Sequence, residues 1–153
     1  MSDNNPVLMA VALAAAVIGG VGYHSLGLRN NNPMNIVYNQ ANNWVGQKGR
    51  NGRFATFKTE KYGIRAGAIL LHNYMYRYGL RSVGSVIGRF APTNENNTGK
   101  YSKFVANEMG VSEWGYRLGD NDLVPLIRAI IHYENGSCPF SVAFVSGVVR
   151  NAI

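Results

Sequence analysis

The sequence of 153 residues predicts a mostly helical α+β domain with one small β-hairpin, preceded by an N-terminal transmembrane helix. Three observations predict this fold class. Residues 6–23 are apolar and uncharged, two short β-prone runs lie between 34 and 57, and apolar residues recur every three or four positions after 59. A chain of this length has room for one core, so we expect a membrane anchor at 1–26 and one domain at 27–153.

The predicted transmembrane helix covers residues 6–23. Its length is close to the roughly 20 residues that a helix needs to cross the hydrocarbon core of a bilayer. No Lys or Arg precedes Pro6, whereas a cleaved secretory signal begins with a positive region, so a retained anchor is the preferred interpretation. The alternative is an Ala-rich helix buried in a soluble domain, because Gly19, Gly20 and Gly22 weaken the far end of the segment.

The residues after this segment predict a turn-rich loop and then a hairpin. Residues 27–33 are dense in Gly, Asn and Pro, which favour compact turns. The runs 34–38 and 53–57 are β-prone, and a polar segment with three glycines separates them. We expect an irregular hairpin that uses these two runs as its strands.

Five helices are predicted after the hairpin, each with an apolar face at helical spacing. Their starts are marked by residues that can cap a helix, and most of their ends are marked by Gly or Pro. The predicted limits are Thr59 to Gly79, Ser82 to Pro92, Thr98 to Gly110, Asp122 to Gly136, and Ser141 onward.

The charge balance limits the kinds of partner. The chain carries 15 basic and 8 acidic residues, a net charge of +7, which favours polyanionic surroundings such as nucleic acid, anionic lipid or cell-wall carboxylates. The basic residues are scattered and form no tight block, which argues against nucleic acid. Cys138 is the only cysteine and the three histidines show no ligand spacing, so we expect neither a metal site nor a cofactor.

Glu134 is the acid whose position carries the most information. It ends the predicted helix 122–136 and continues the apolar face of that helix. A carboxyl directed towards the core loses solvation, which raises its pKa and lets it hold a proton near neutral pH, as a general acid must. The alternative is a helix-end residue that turns out into water. The apolar face consists of Leu123, Leu126, Ile127, Ile130 and Ile131.

Glu95 is the second candidate acid. It lies in the polar segment 91–99, among amide and hydroxyl groups of the kind that hydrogen-bond sugars. Loops on a rigid scaffold often carry function. The alternative for Glu95 is an ordinary turn or N-cap acid. The positions of the remaining acidic residues are those expected of capping or solvated side chains.

Four segments carry a family resemblance. They read GLRNNNPMNI at 27–36, FATFKTEKYGIRAGAILLHNY at 54–74, IGRFAPTNENNTGKYSKFV at 87–105 and AIIHYENG at 129–136. Together they resemble the lysozyme-like murein-degrading proteins of bacteriophage particles, of muramidase or lytic transglycosylase type. The resemblance implies a lysozyme-like domain. In most such proteins the catalytic helix precedes the small β region, whereas here it follows, so the implied fold is permuted in sequence order.

The resemblance also implies an activity and a site. Peptidoglycan would be cut at the β-1,4 bond between N-acetylmuramic acid and N-acetylglucosamine, helping a phage to pass or lyse the cell wall. Glu134 would protonate the leaving oxygen, and Glu95 would be either the second carboxylate of a hydrolase or the acid itself. If Glu95 is remote, a one-acid lytic transglycosylase is favoured. The implied substrate-binding residues are Asn31, Asn32, Asn35 and Asn96 for polar groups, and Trp44, Tyr101 and Tyr133 for sugar faces.

A non-enzymatic interpretation stays open. Composition alone also fits a membrane-anchored virion protein that binds the cell wall or has a structural role without any chemistry. Both interpretations place the protein in a virion and at a membrane through residues 6–23. The expected partners are peptidoglycan, a lipid bilayer and other virion proteins.

Overall fold

Capping and turn residues divide the chain into six α-helices and one two-stranded antiparallel hairpin within residues 25–92 and 97–153, the part that the computed structural model describes. A single 3-10 turn, Asp120–Asp122, precedes the fifth helix. The helices are Leu26–Arg29 (α1), Glu60–Tyr76 (α2), Val83–Phe90 (α3), Thr98–Met109 (α4), Leu123–Asn135 (α5) and Val142–Ala152 (α6), and the strands are Gln47–Asn51 (β1) and Phe54–Phe57 (β2).

The predicted fold class is corrected in its membrane-spanning element. The α+β composition is confirmed, with helices and one small hairpin. In residues 25–92 and 97–153, however, no helix combines the length and the apolar character that crossing a bilayer requires. The predicted transmembrane helix at 6–23 lies outside the described residues.

The hairpin is confirmed, but its first strand is not where the sequence predicts it. Strand β1 is the polar segment Gln47–Asn51, while the predicted strand at 34–38 contributes one isolated bridge, between Val37 and Phe54. Asn51 pairs with Phe54 across a two-residue turn that begins at Gly52, whose φ of +57° suits a tight hairpin. The turn at Gly52 therefore makes the polar segment before it the partner of β2, in place of the apolar run at 34–38.

The five predicted helices after the hairpin are confirmed. Ser82 and Ser141 each accept a hydrogen bond from a first-turn N–H and so cap α3 and α6. Gly110 and Gly136 end α4 and α5 with φ of +68° and +77°, the left-handed conformation that glycine adopts without steric cost. Helix α2 ends at Tyr76, slightly earlier than predicted, and the single turn α1 replaces part of a predicted loop.

Helix α5 lies at the centre of the described residues and contacts α1, α2, α4 and α6. Its apolar face is fully buried, and removing this surface from water stabilises the fold. The C-terminal end of α5 meets α1 and residues 30–35, which we call the asparagine loop. Because α5 is enclosed by other elements, a side chain at that end is held in a fixed place.

Helix α2 approaches the asparagine loop more closely than a side chain would allow. A Cβ atom on Gly63 would lie 2.1 Å from the carbonyl oxygen of Asn31, and one on Gly67 would lie 2.1 Å from the sulfur of Met34. Met34 is completely buried, so the loop is clamped between α2 and the core. Glycine at these two positions therefore sets the position of the loop.

We predict that Gly63→Ala destabilises the protein by about 1 to 3 kcal/mol, because the obstructing atom is a backbone carbonyl that cannot rotate away. The matched control is Gly88→Ala in α3, where no atom lies within 4 Å of the added Cβ and alanine is the better helix former. We expect the control to stabilise the protein by about 0.5 to 1 kcal/mol. Chemical denaturation measures both, and equal effects of the two substitutions would show that the close approach at Gly63 is wrong.

Candidate active site

Glu134 lies in the last turn of α5 with 0% of its surface exposed, so its predicted burial is confirmed. Both carboxyl oxygens are hydrogen-bonded. The Asn35 amide Nδ2 donates to Oε2 at 2.9 Å, and the Tyr101 hydroxyl donates to Oε1 at 2.7 Å. The three side chains come from the asparagine loop, α4 and α5, and they form the candidate site.

Burial raises the pKa of Glu134 from its usual 4.5 to about 8, although the hydrogen bonds from Asn35 and Tyr101 both act to lower it. Desolvation therefore outweighs the two donors, and the carboxyl is protonated at neutral pH. Both oxygens act as acceptors, Oε2 from the Asn35 amide and Oε1 from the Tyr101 hydroxyl.

Asn35 and Asn31 both adopt left-handed backbone conformations, with φ of +51° and +52°. Asparagine tolerates this region better than most residues, because its short side chain bonds locally. The backbone N–H of Asn35 donates to the Asn32 carbonyl oxygen at 2.9 Å, which closes the loop. This conformation directs the Asn35 amide to Glu134.

Asn32 holds the loop in place, and its side-chain amide is fully used in hydrogen bonds within the protein. Its Nδ2 donates to the carbonyl oxygens of Ile36 and Ala55, both at 2.9 Å, and its Oδ1 accepts from the Ile36 N–H at 2.9 Å. The side chain is completely buried. Its position favours a structural role over the predicted contact with substrate.

Asn135 is a site residue that the sequence analysis did not select. Its Nδ2 donates to the carbonyl oxygens of Pro33 at 2.7 Å and Ile131 at 2.8 Å, and its Oδ1 accepts from the Ser25 hydroxyl. These bonds tie the end of α5 to α1 and to the asparagine loop. The only sequence signal for this role is its place directly after Glu134.

Tyr101 and Tyr133 are both at the site, but in different ways. Tyr101 is fully buried and stacks on Tyr133, with ring centroids 3.8 Å apart. Burial, followed by the nearby Glu134, raises the pKa of Tyr101 well above its usual value, so its hydroxyl stays a donor. Tyr133 is only partly buried, so part of its side chain remains accessible to solvent.

The other predicted site residues lie apart from the Glu134 carboxyl or outside the described residues. The Asn31 Nδ2 donates to the carbonyl oxygens of Phe57 at 3.1 Å and Lys58 at 3.3 Å. Trp44 packs partly buried against the core, and its indole N–H has no hydrogen-bond partner within the described residues. Glu95 and Asn96 lie outside the described residues.

A groove of about 530 Å³ lies beside the end of α5. Asn31 and Asn135 reach it from the asparagine loop and from α5, and the exposed Glu60 reaches it from α2. In residues 25–92 and 97–153, no cluster of three or more His, Cys, Asp or Glu side chains is placed to hold a metal ion. The complete lining is Ser25, Leu28, Asn31, Glu60, Asn135, Ser137, Pro139 and Phe140.

These features define a class: a small α+β domain in which one buried, neutral carboxyl ends the central helix and is held by an asparagine-rich loop. The chain is 42% identical over 119 residues to Protein P5 of Pseudoalteromonas phage PM2, and the match covers 75% of this chain and 74% of that protein. The chain therefore belongs to the family of this phage protein. No protein-family model matches it. The predicted relationship to bacteriophage proteins is confirmed at this level.

The raised pKa of Glu134 predicts how stability depends on pH. In the folded state Glu134 keeps its proton up to about pH 8, whereas in the unfolded chain it releases the proton near pH 4.5. The neutral carboxyl therefore contributes fully to the free energy of unfolding below pH 4.5. This contribution is lost as the pH rises towards 8. Glu134→Gln, which cannot ionise, should remove this loss and gain on the order of a few kcal/mol at pH 9 relative to the wild type.

Urea denaturation at a series of pH values measures this difference. The control is Glu60→Gln, which removes an exposed carboxyl from the first turn of α2 and should leave the slope of stability against pH unchanged. If stability depends on pH in Glu134→Gln as it does in the wild type, the raised pKa does not belong to Glu134.

Proposed function

We propose that this phage protein cleaves the β-1,4 glycosidic bonds of peptidoglycan, with Glu134 as the general acid. The observation that carries the proposal is a buried carboxyl with a pKa of about 8 at the end of the central helix. Proton donation to a leaving glycosidic oxygen needs an acid whose pKa lies near the working pH. Glu134 meets this requirement.

The surroundings of Glu134 also favour a functional acid over a structural one. A buried carboxyl in a structural role is normally paired with a base, because an uncompensated acid is costly to bury. Within the described residues, the partners of Glu134 are an amide and a phenol, and no cation contributes to its pKa. Perturbed acids of this kind concentrate at functional sites.

The chemistry of a lytic transglycosylase needs one acid, and Glu134 alone could fill that role. Glu134 would pass its proton to the leaving glycosidic oxygen as the bond from that oxygen to the anomeric carbon breaks. A hydroxyl of the same sugar would then attack the anomeric carbon and return its proton to Glu134. The products are a 1,6-anhydro end and a new free hydroxyl, so neither water nor a second acid is consumed.

Asn35 and Tyr101 have a defined part in this scheme. Once Glu134 has given up its proton, it is a carboxylate in an apolar environment, and the two donors at 2.9 and 2.7 Å stabilise that charge. They therefore lower the barrier to proton transfer while burial keeps the resting acid protonated. The setting is a virion, where cutting peptidoglycan would help the phage through the cell wall.

Glu134→Gln should lower peptidoglycan cleavage by about 10²- to 10⁴-fold, the usual contribution of a general acid. Clearing of purified sacculi by the full chain measures the rate. The matched control is Glu108→Gln, a partly exposed acid of α4 that pairs with His132 and should leave cleavage unchanged. Mass spectrometry of the products identifies the reaction, because 1,6-anhydro ends indicate a transglycosylase and reducing ends indicate a hydrolase.

Equal cleavage by wild type and Glu134→Gln would contradict the assignment, and a loss in Glu95→Gln instead would move the acid to Glu95. If no variant, including wild type, cuts peptidoglycan, the non-enzymatic interpretation as a cell-wall-binding or structural virion protein replaces this proposal.

The pH–rate profile of cleavage should have an alkaline limb that begins near pH 8, because Glu134 then loses the proton that it must donate. Above that pH the rate should fall about tenfold per pH unit. Tyr101→Phe should move this limb to higher pH, because the Tyr101 hydrogen bond lowers the pKa of Glu134 and its loss raises that pKa. Tyr133→Phe, which keeps the ring that stacks on Tyr101, is the control. Rate profiles from pH 5 to 10 measure the limb, and a limb that moves down in Tyr101→Phe would overturn the scheme.

A further inference from the structure

An exposed aromatic surface lies at the end of α5 opposite Glu134. Trp114 is 67% exposed and Tyr116 is 40% exposed, and the Tyr116 hydroxyl donates to Asp122 at the N-terminal end of α5, at 3.1 Å. Helix α5 has 13 residues, a length of about 20 Å. The surface is thus separate from the candidate active site. We call it the Trp114 surface; it comprises Tyr76, Arg81, Ser85, Trp114, Tyr116 and Arg117.

The Trp114 ring is fixed in place although most of it faces solvent. One side of the ring lies against Gly84 in α3, where an added Cβ would be 2.5 Å from the ring atoms. The N–H of Gly84 donates to the carbonyl oxygen of Glu113 at 2.9 Å, which anchors the loop next to Trp114. A large aromatic ring that is already ordered loses little entropy when a ligand stacks on it.

Arginine and aspartate side chains lie beside the aromatic rings. The Arg81 guanidinium lies 4.6 Å from the centre of the Tyr76 ring, and its Nε donates to the Leu118 carbonyl oxygen at 2.8 Å. The Tyr76 hydroxyl donates to Asp120, and Arg117 is exposed beside Tyr116. Within this surface, a shallow depression of about 330 Å³ is lined by guanidinium, hydroxyl and aromatic groups, those of Arg81, Ser85, Trp114, Tyr116 and Arg117.

This chemistry fits a glycan better than a polyphosphate. Sugar rings have apolar faces that stack on aromatic rings and hydroxyls that both donate and accept hydrogen bonds. The carboxylates of Asp120 and Asp122 lie at the rim of the surface and repel a continuous row of phosphates. Isolated carboxylates, such as those of the stem peptides in peptidoglycan, can instead reach Arg81 and Arg117.

We propose that the Trp114 surface is a second glycan-binding site, which holds a peptidoglycan strand by stacking a sugar ring on Trp114 and by pairing stem-peptide carboxylates with Arg81 and Arg117. The identity of the glycan rests on the function proposed above for Glu134. The binding itself needs no chemistry, so the two proposals can fail separately.

Binding is measured by co-sedimentation of the full chain, carrying Glu134→Gln to prevent cleavage, with purified sacculi. Adding Trp114→Ala should weaken binding about tenfold, the loss expected when one aromatic contact is removed. The matched control is Phe144→Ala, which removes a partly exposed ring from α6 and should leave binding unchanged. Thermal unfolding of each variant verifies folding.

Arg117→Gln is the second variant, because Arg117 is exposed and its loss should not disturb packing. It should weaken binding to intact sacculi but not to glycan strands from which an amidase has removed the stem peptides. In the active background, Trp114→Ala should raise KM on sacculi and leave kcat on short soluble muropeptides unchanged.

Unchanged co-sedimentation in both Trp114→Ala and Arg117→Gln would overturn the proposal. It would also be overturned if the surface bound single-stranded DNA or anionic vesicles in a Trp114-dependent way while sacculi showed no such dependence. A chain that binds sacculi through Trp114 but never cuts them would leave this site standing and remove the proposed function of Glu134.

Discussion

The burial of one carboxyl without a counter-charge is the constraint on which the surrounding structure depends. Desolvation at the end of α5 makes the charged form of Glu134 costly, and only two donors, from Asn35 and Tyr101, offset that cost. Both donors come from elements distant in sequence. The asparagine loop, α4 and α5 must therefore keep their relative positions, or the acid is left in an apolar cavity with unsatisfied oxygens.

The loop meets this demand through its backbone. Asn35 and Asn31 take left-handed conformations, and Asn32 and Asn135 use their amides to bond the chain on either side. The cluster of asparagines reads from sequence as a set of ligand-binding amides. In the structure Asn32 positions the chain and Asn35 reaches the acid, while Asn135, which lies outside this cluster, ties α5 to the loop.

Local pattern was enough to predict the helices and the burial of Glu134, because a period of three to four residues depends only on neighbours along the chain. It did not predict that Tyr101 would be a hydrogen-bond partner of Glu134 in place of a sugar platform, since the two residues are 33 positions apart. It also misplaced the first strand, where the turn at Gly52 outweighed the apolar run at 34–38. The predicted transmembrane element is not found in any described helix.

The close contacts made by glycines have a consequence for recognising homologues. Gly27 would bring a Cβ within 2.8 Å of the side-chain oxygens of both Asn35 and Asn135, and Gly63 leaves no room beside Asn31. A relative that keeps this loop must therefore keep glycine at both positions, whether or not it keeps Glu134. Alignment columns for Gly27 and Gly63, read beside the column for Glu134, separate relatives that lost only the buried acid from relatives that lost the loop itself.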